Sequence, residues 1–216
     1  MARKRKQANS EENFLQQRRR NPPKVRISGR IGNQTVVRGM EVCATLATTG
    51  TGAGALVIPL IGGSSLAMNA NFTPLQQVAK LYNQFLFQQC AIKYIPSVGM
   101  TTSGNVTICF INNSEVISYL LESGRTLGEV ESIAFGQANA VSHPVWHEFT
   151  YSMNLPARRK RFDTNNTNPA TNTDTIERDC QGAFIIFVSG APASTAITTP
   201  RRESALLLEG LSTNFA

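Results

Sequence analysis

The chain has 216 residues, of which 41% are hydrophobic and 16% charged, with a formal net charge of +7. That length allows one domain of sandwich size plus a tail, and the longest apolar runs, ALVIPLI at 55–61 and FIIFV at 184–188, are far too short to span a bilayer. The charge is unevenly placed: residues 1–30 carry ten cations against two acids, net +8, while residues 31–216 carry eleven against twelve, net −1.

Residues 1–30 hold few apolar side chains (Phe14, Leu15, Val25, Ile27), so burial cannot offset the entropy of ordering them, and a disordered arm that binds a polyanion is expected. The candidate nucleic-acid contacts are Arg3, Lys4, Arg5, Lys6, Arg18, Arg19, Arg20, Lys24, Arg26 and Arg30. No apolar run of signal-peptide length follows Lys6, so the basic start reads as nucleic-acid binding or localisation rather than secretion. Residues 35–47 read as a strand by their two-residue period, with Val36, Met40, Val42, Ala44 and Leu46 on the core face and Arg38 interrupting. Residues 55–61 read as a buried strand that Pro59 marks as an edge or bend.

A helix is expected from Thr73. Thr73 and Gln76 form a capping box, Pro74 takes the first helical position, and Leu75, Val78, Ala79, Tyr82, Phe85 and Leu86 recur at helical spacing. Alternation then returns at Cys90, Ile92 and Tyr94 and again at Val106, Ile108 and Phe110, both read as strands. A second short helix is expected within 126–140 from Leu127, Val130, Ile133 and Ala134. A strand follows over 145–153, a short basic strand at ARRKRF, an Asn/Thr loop at 163–175, a central strand in AFIIFVSG and a last strand in ESALLLEGL. Runs of strands broken by one or two helices disfavour a parallel sheet and predict an all-β antiparallel double-sheet sandwich of eight strands over residues 31–216.

The order of these features resembles the single jelly-roll coat proteins of small icosahedral plant viruses, of the sobemovirus and tombusvirus shell-domain type. The residues that carry the resemblance are the basic arm, ISGRIGNQTVVRGMEV leading the first strand, a helix feeding a strand that ends in KYIP (Tyr94 to Pro96), and GNVTICF as the next strand. The resemblance implies a jelly roll that self-assembles into a closed shell, arms that point inward onto a single-stranded RNA genome, and residence in the virion, with assembly in the host cytoplasm. It also implies calcium at subunit interfaces. The family's Asp-x-x-Asp pair falls here on Asn112 and Glu115, which offer oxygen ligands of lower total charge, against the alternative of an Asx turn ending the strand.

Arg158, Arg159, Lys160 and Arg161 form a dense basic run that either touches RNA or blunts an exposed edge strand. Arg201 and Arg202, beside Pro200, read as solvated loop residues. His143 and His147 are placed on a strand, too far apart for a zinc pair, and Trp146 is expected on the opposite side. Cys43, Cys90, Cys109 and Cys180 read as reduced core residues of an intracellular protein. With no nucleophile elbow, Walker loop or H-E-x-x-H motif, no catalytic activity, small-molecule substrate or membrane partner is expected. The rival readings are a cellular nucleic-acid-binding β-sandwich module with a basic tail and a cupin-like enzyme, the latter disfavoured by having only two histidines.

Overall fold

The computed structural model describes residues 26–31, 34–61, 78–79, 81–122, 125–155, 162–163 and 173–211. Among the described residues, eight strands form two facing antiparallel sheets. The first runs in the order β2 (Gln34–Val42), β12 (Arg201–Leu211), β5 (Tyr82–Tyr94), β8 (Phe149–Asn154), and the second in the order β4 (Gly54–Ile61), β10 (Cys180–Ser189), β6 (Asn105–Ile111), β7 (Val141–Pro144). Four short strands complete the set. β1 (Arg26–Ile31) extends the first sheet beyond β2, β9 (Phe162–Asp163) pairs with β5, and β3 (Leu46–Ala47) pairs with β11 (Ala196–Thr198). The expected all-β antiparallel double-sheet sandwich is observed, though β7 was not among the strands expected, and all but Phe162 of the basic strand expected at ARRKRF lies outside the described residues.

The sandwich interior is built from one face of each sheet: Ile58, Leu60, Val106, Ile108, Phe184, Ile186 and Val188 from the second meet Val37, Phe85, Phe87, Ile92, Leu206 and Leu208 from the first. Each such fully buried aliphatic or aromatic side chain contributes about 1.5–3 kcal/mol relative to exposure. The second sheet is apolar on both faces because helices clad its outside. α1 (Ser114–Leu121), α2 (Leu127–Phe135) and α3 (Thr173–Asp179) place Ile117, Leu120, Leu121, Val130, Ala134 and Ile176 over Val57, Cys109, Ile185 and Phe187. β10 lies between β4 and β6, as its unbroken apolar run requires, and β4, which carries Pro59, is an edge strand.

Several expectations are corrected. The core face of β2 is the odd one: Thr35, Val37 and Glu41 are buried, as is Cys43 just beyond the strand, whereas Arg38 and Val42 are exposed. The strand 145–153 begins only at Phe149, after a turn. Tyr82, Phe85 and Leu86, assigned to the helix, belong to β5; of that helix, Val78 and Ala79 are helical and residues 73–77 lie outside the described residues. α1 and α3 were not expected, and α3 begins in the segment read as a loop. The stretch read as an arm reaches into the fold, because Arg26–Ile31 pairs with β2 in the register Arg26↔Arg38 and Ile31↔Gln34.

β5 carries an extra residue against β12, with the register stepping between Ala205 and Leu206. The buried Gln181 of β10 bridges the sheets there. The Phe87 N–H donates to its Oε1 at 2.7 Å, and its Nε2 donates to the Phe87 carbonyl at 2.8 Å. Both backbone groups of Phe87, the residue before the extra Gln88, are thereby satisfied in the interior, where an orphan would cost about 1–3 kcal/mol.

Candidate functional site

The candidate sites distribute unevenly over the fold. Arg3, Lys4, Arg5, Lys6, Arg18, Arg19, Arg20 and Lys24 lie outside the described residues, as do Arg158, Arg159, Lys160 and Arg161. Arg26 and Arg30 lie on β1, at the edge of the first sheet, and so mark the root of the basic segment.

Asn112 and Glu115 are exposed and flank a helix start. The Asn113 side chain accepts from the Glu115 N–H at 2.9 Å and the Val116 N–H at 3.2 Å and caps α1, the local Asx arrangement set against calcium in the sequence reading. Glu115 sits in the first turn, where a carboxylate opposes the positive helix end. Calcium takes six to eight oxygens, and among the described residues no group of three His, Cys, Asp or Glu converges to hold a metal.

The capping box expected at Thr73 and Gln76 lies outside the described residues; a different one, which the sequence reading did not name, opens α2 at Thr126. The Glu129 N–H donates to the Thr126 hydroxyl at 3.3 Å, while the Thr126 N–H and hydroxyl each donate to Glu129 Oε2 at 2.8 Å. The Tyr119 hydroxyl donates to Glu129 Oε1 at 2.8 Å, and the Arg125 guanidinium lies over the Tyr119 ring, 3.4 Å from its centroid. The Thr126 backbone N–H, then the Tyr119 and Thr126 hydroxyls, hold the Glu129 carboxyl down at about 2. A carboxyl depressed on folding stabilises the fold above its ordinary range, and that contribution is lost as pH falls through about 2. Glu129→Gln is expected to lower the melting temperature at pH 6 and to flatten its fall between about pH 4.5 and 2, read by thermal unfolding at each pH; an unchanged profile would show the box to be idle.

Arg202 is a misread residue. It lies on β12 at 1% exposure, and its Nη2 donates to Oε2 of the buried Glu41 on β2 at 2.8 Å. Its guanidinium stands 5.3 Å from the centroid of the Phe87 ring. Arg201, its neighbour, is exposed on the same strand. The Cys43 and Cys90 thiols share this interior. Burial pushes both up to about 12, opposed by the nearby Arg202 charge, so neither is a ready nucleophile. Cys109 and Cys180 are likewise buried and free, raised by burial to about 11 and about 12.

The histidines also depart from expectation. A turn closed by the His147 N–H donating to the Pro144 carbonyl at 2.9 Å brings the His143 and His147 rings into a stack with centroids 5.0 Å apart. Phe149 lies 4.3 Å from His143 and stacks in turn on Tyr94 at 5.2 Å. Trp146 meets His147 edge-on at 6.1 Å rather than pointing away. The Tyr94 hydroxyl donates to the Val145 carbonyl at 2.7 Å and pins the turn to β5.

Comparison with known proteins follows the geometry. Residues 14–119 match the family model of the viral coat protein S domain. Among solved structures, the protein of tobacco necrosis virus superposes with a TM-score of 0.69 at 18% identity, covering 89% of this chain and 89% of that one. That of melon necrotic spot virus gives 0.64 at 19% identity over 89% of this chain and 53% of that chain. That of cocksfoot mottle virus gives 0.61 at 13% identity over 81% and 93%. A search of curated proteins finds no match. The S-domain family describes a structural capsid component rather than an enzyme. The sequence of residues 14–119 and the jelly roll of the described chain both match a shell-domain viral coat protein.

Proposed function

We propose that the protein is a coat protein whose sandwiches self-assemble into a closed shell and whose basic leader packages single-stranded RNA with little regard to sequence. The observation that carries this reading is the S-domain match over residues 14–119, which runs from the basic leader into the sandwich. Charge partition supports it: a near-neutral body can tile beside copies of itself without repulsion, while a leader of net +8 collects phosphates. Eight of its cations precede Arg26, which gives a log-log salt slope of about −5 to −6 for single strands. Phe14 is the leader's one aromatic residue, so base stacking adds little sequence preference. Arg158, Arg159, Lys160 and Arg161 would add to RNA binding if they line the interior. Calcium at subunit interfaces would need ligands from a second copy beside Asn112 and Glu115. The destination is the virion, with assembly in the host cytoplasm.

The competing reading is a cellular nucleic-acid-binding module with a basic tail. Electron microscopy of the purified chain separates the two. Uniform particles enclosing nuclease-protected RNA are expected; protein that stays monomeric at high concentration with RNA present would overturn the coat-protein reading.

A further inference from the structure

Helices clad the outside of the second sheet, whereas the outside of the first carries a groove of about 470 Å³ over β2, β12, β5 and β8. The strand pairings explain why it is hollow. Glu203 of β12 lies opposite Ala91 of β5, which lies opposite Ser152 of β8; one pleat along, Ala205 lies between Arg38 of β2 and Gln89 of β5. Directly opposed residues of antiparallel strands share a face, so Ala91 and Ala205 set bare methyl groups among longer side chains. Ala205 is the floor at 6% exposure, while Arg38, Gln89, Ser152 and Glu203 stand exposed around it. A hollow of this size takes a small molecule or one unit of a polymer.

The polar groups around the floor are uncommitted. Among the described residues, no ion pair or hydrogen bond within the chain engages the side chains of Arg38, Gln89, Ser152 or Glu203. Arg38 and Glu203 hold diagonal positions across β2 and β12, and Glu203 and Gln89 hold diagonal positions across β12 and β5, each pair about 7 Å apart by sheet geometry. Two residues before Glu203, on the same face, stands the exposed Arg201, opposite Lys93, whose charge is already offset by Glu148 at 2.8 Å. The groove therefore has an arginine toward each end, about 13 Å apart along the strands, with a carboxylate and an amide between them.

The place where the leader joins the sheet bears on what meets this face. β1 forms the rim, with Arg26 in register with Arg38, so RNA held by the preceding cations would lie beside the groove at high local concentration. A phosphate backbone alone does not account for the groove. Phosphates suit Arg38 and Arg201, but Glu203 between them would repel a backbone and lower its affinity. The carboxylate becomes favourable once a base turns toward it. An ionised carboxylate only accepts hydrogen bonds, and guanine is the RNA base with two adjacent donors on its pairing edge, N1–H and the N2 amino group, with the O6 acceptor beside them. Glu203 can accept from both donors while the Gln89 amide donates to O6, and unpaired bases are read on that edge.

We propose that this groove holds one guanine nucleotide of single-stranded RNA, with Glu203 and Gln89 on the base edge and Arg38 and Arg201 on the flanking phosphates. The inference rests on the RNA-packaging reading and adds to it a base preference seated in the sandwich, distinct from the sequence-indifferent leader. The two contributions separate cleanly. Phosphate contacts of the leader are the same for every sequence, so they cancel in the ratio of affinities for two strands of equal length, and what remains in that ratio is the base contact.

The test measures binding of the full chain, at concentrations too low for assembly, to two labelled RNA strands by fluorescence anisotropy: oligouridine, and the same strand with one central guanine. Glu203→Gln and Arg38→Gln are measured beside wild type; both sites are exposed, and circular dichroism checks the fold. Wild type is expected to prefer the guanine strand by about fivefold or more, the low end for one bidentate base contact. Glu203→Gln is expected to remove most of that preference. Arg38→Gln is expected to weaken binding of both strands and to reduce the salt slope by about 0.7, the value of one phosphate contact. Equal wild-type affinity for the two strands, a preference that survives in Glu203→Gln, a Glu203→Gln variant that gains affinity for both strands alike, or an unchanged salt slope in Arg38→Gln would overturn the inference while leaving packaging by the leader intact. A wild type that binds neither strand would overturn both.

Discussion

Replacing Glu41 by alanine is expected to lower the unfolding free energy by about 3–5 kcal/mol, because it removes the buried carboxylate to which the Arg202 guanidinium donates in the sandwich interior. Domains of this kind hold only about 5–15 kcal/mol in total, so the variant unfolds at markedly lower urea. Arg202→Ala falls by a similar amount for the mirror-image reason, with lost packing over Phe87 added. The double replacement Glu41→Leu/Arg202→Met is expected to recover most or all of the loss, since an apolar pair of similar volume removes two desolvated charges together. Urea unfolding of the wild type, Glu41→Leu, Arg202→Met and the double variant closes the cycle, with the coupling given by the departure from additivity. Purely additive losses in the double variant would mean that the two residues act separately and that the pair is not the unit of stability.

Deleting residues 1–25 is the second large effect. The truncated chain is expected to fold with an unchanged melting temperature and to lose its nucleic acid, with nuclease-protected RNA per particle falling at least about tenfold and the steep salt dependence of binding disappearing with the eight cations. The cut stops at 25 because Arg26–Ile31 pairs with β2. A deletion through residue 30 would also strip a sheet edge and confuse loss of cargo with loss of structure. RNA content in the truncated particles equal to wild type would transfer the packaging role to other cations, with Arg158, Arg159, Lys160 and Arg161 first among them.

Strand identity was readable where burial and alternation agree, as at Cys90, Ile92 and Tyr94 or in the doubly apolar run of β10. Alternation misled at β2. Its even face looked apolar with one arginine, and its odd face carried Glu41, which only a partner 161 residues away makes tolerable in a core. No local pattern encodes such a partner, and the same ion pair hid the burial of Arg202. Tyr82, Phe85 and Leu86 fitted a helical period because Phe85, Leu86 and Phe87 are buried in succession, so this end of β5 shows no strict alternation. α1 could have been found, since Asn113 precedes Ile117, Leu120 and Leu121 at helical spacing, but the comparison with a calcium motif drew the same residues into a different question. The His143–His147 stack depended on a turn after Pro144, and treating the alternation as one strand straightened it. Of the candidate site, the segregation of charge was plain in the sequence, whereas the groove on the first sheet required the pairings that set β2, β12 and β5 side by side.

β1 also sets a mechanical boundary condition. The leader of each copy enters the sheet at the same rim, opposite Arg38, and if its twenty-five residues behave as a flexible coil, as we propose, they would wander only about 25–30 Å from that mooring. Copies held in a common orientation would pool their leaders into one shallow cationic layer, so the thickness of genome gripped directly would follow from leader length, and lengthening or shortening that leash would tune it without altering the masonry.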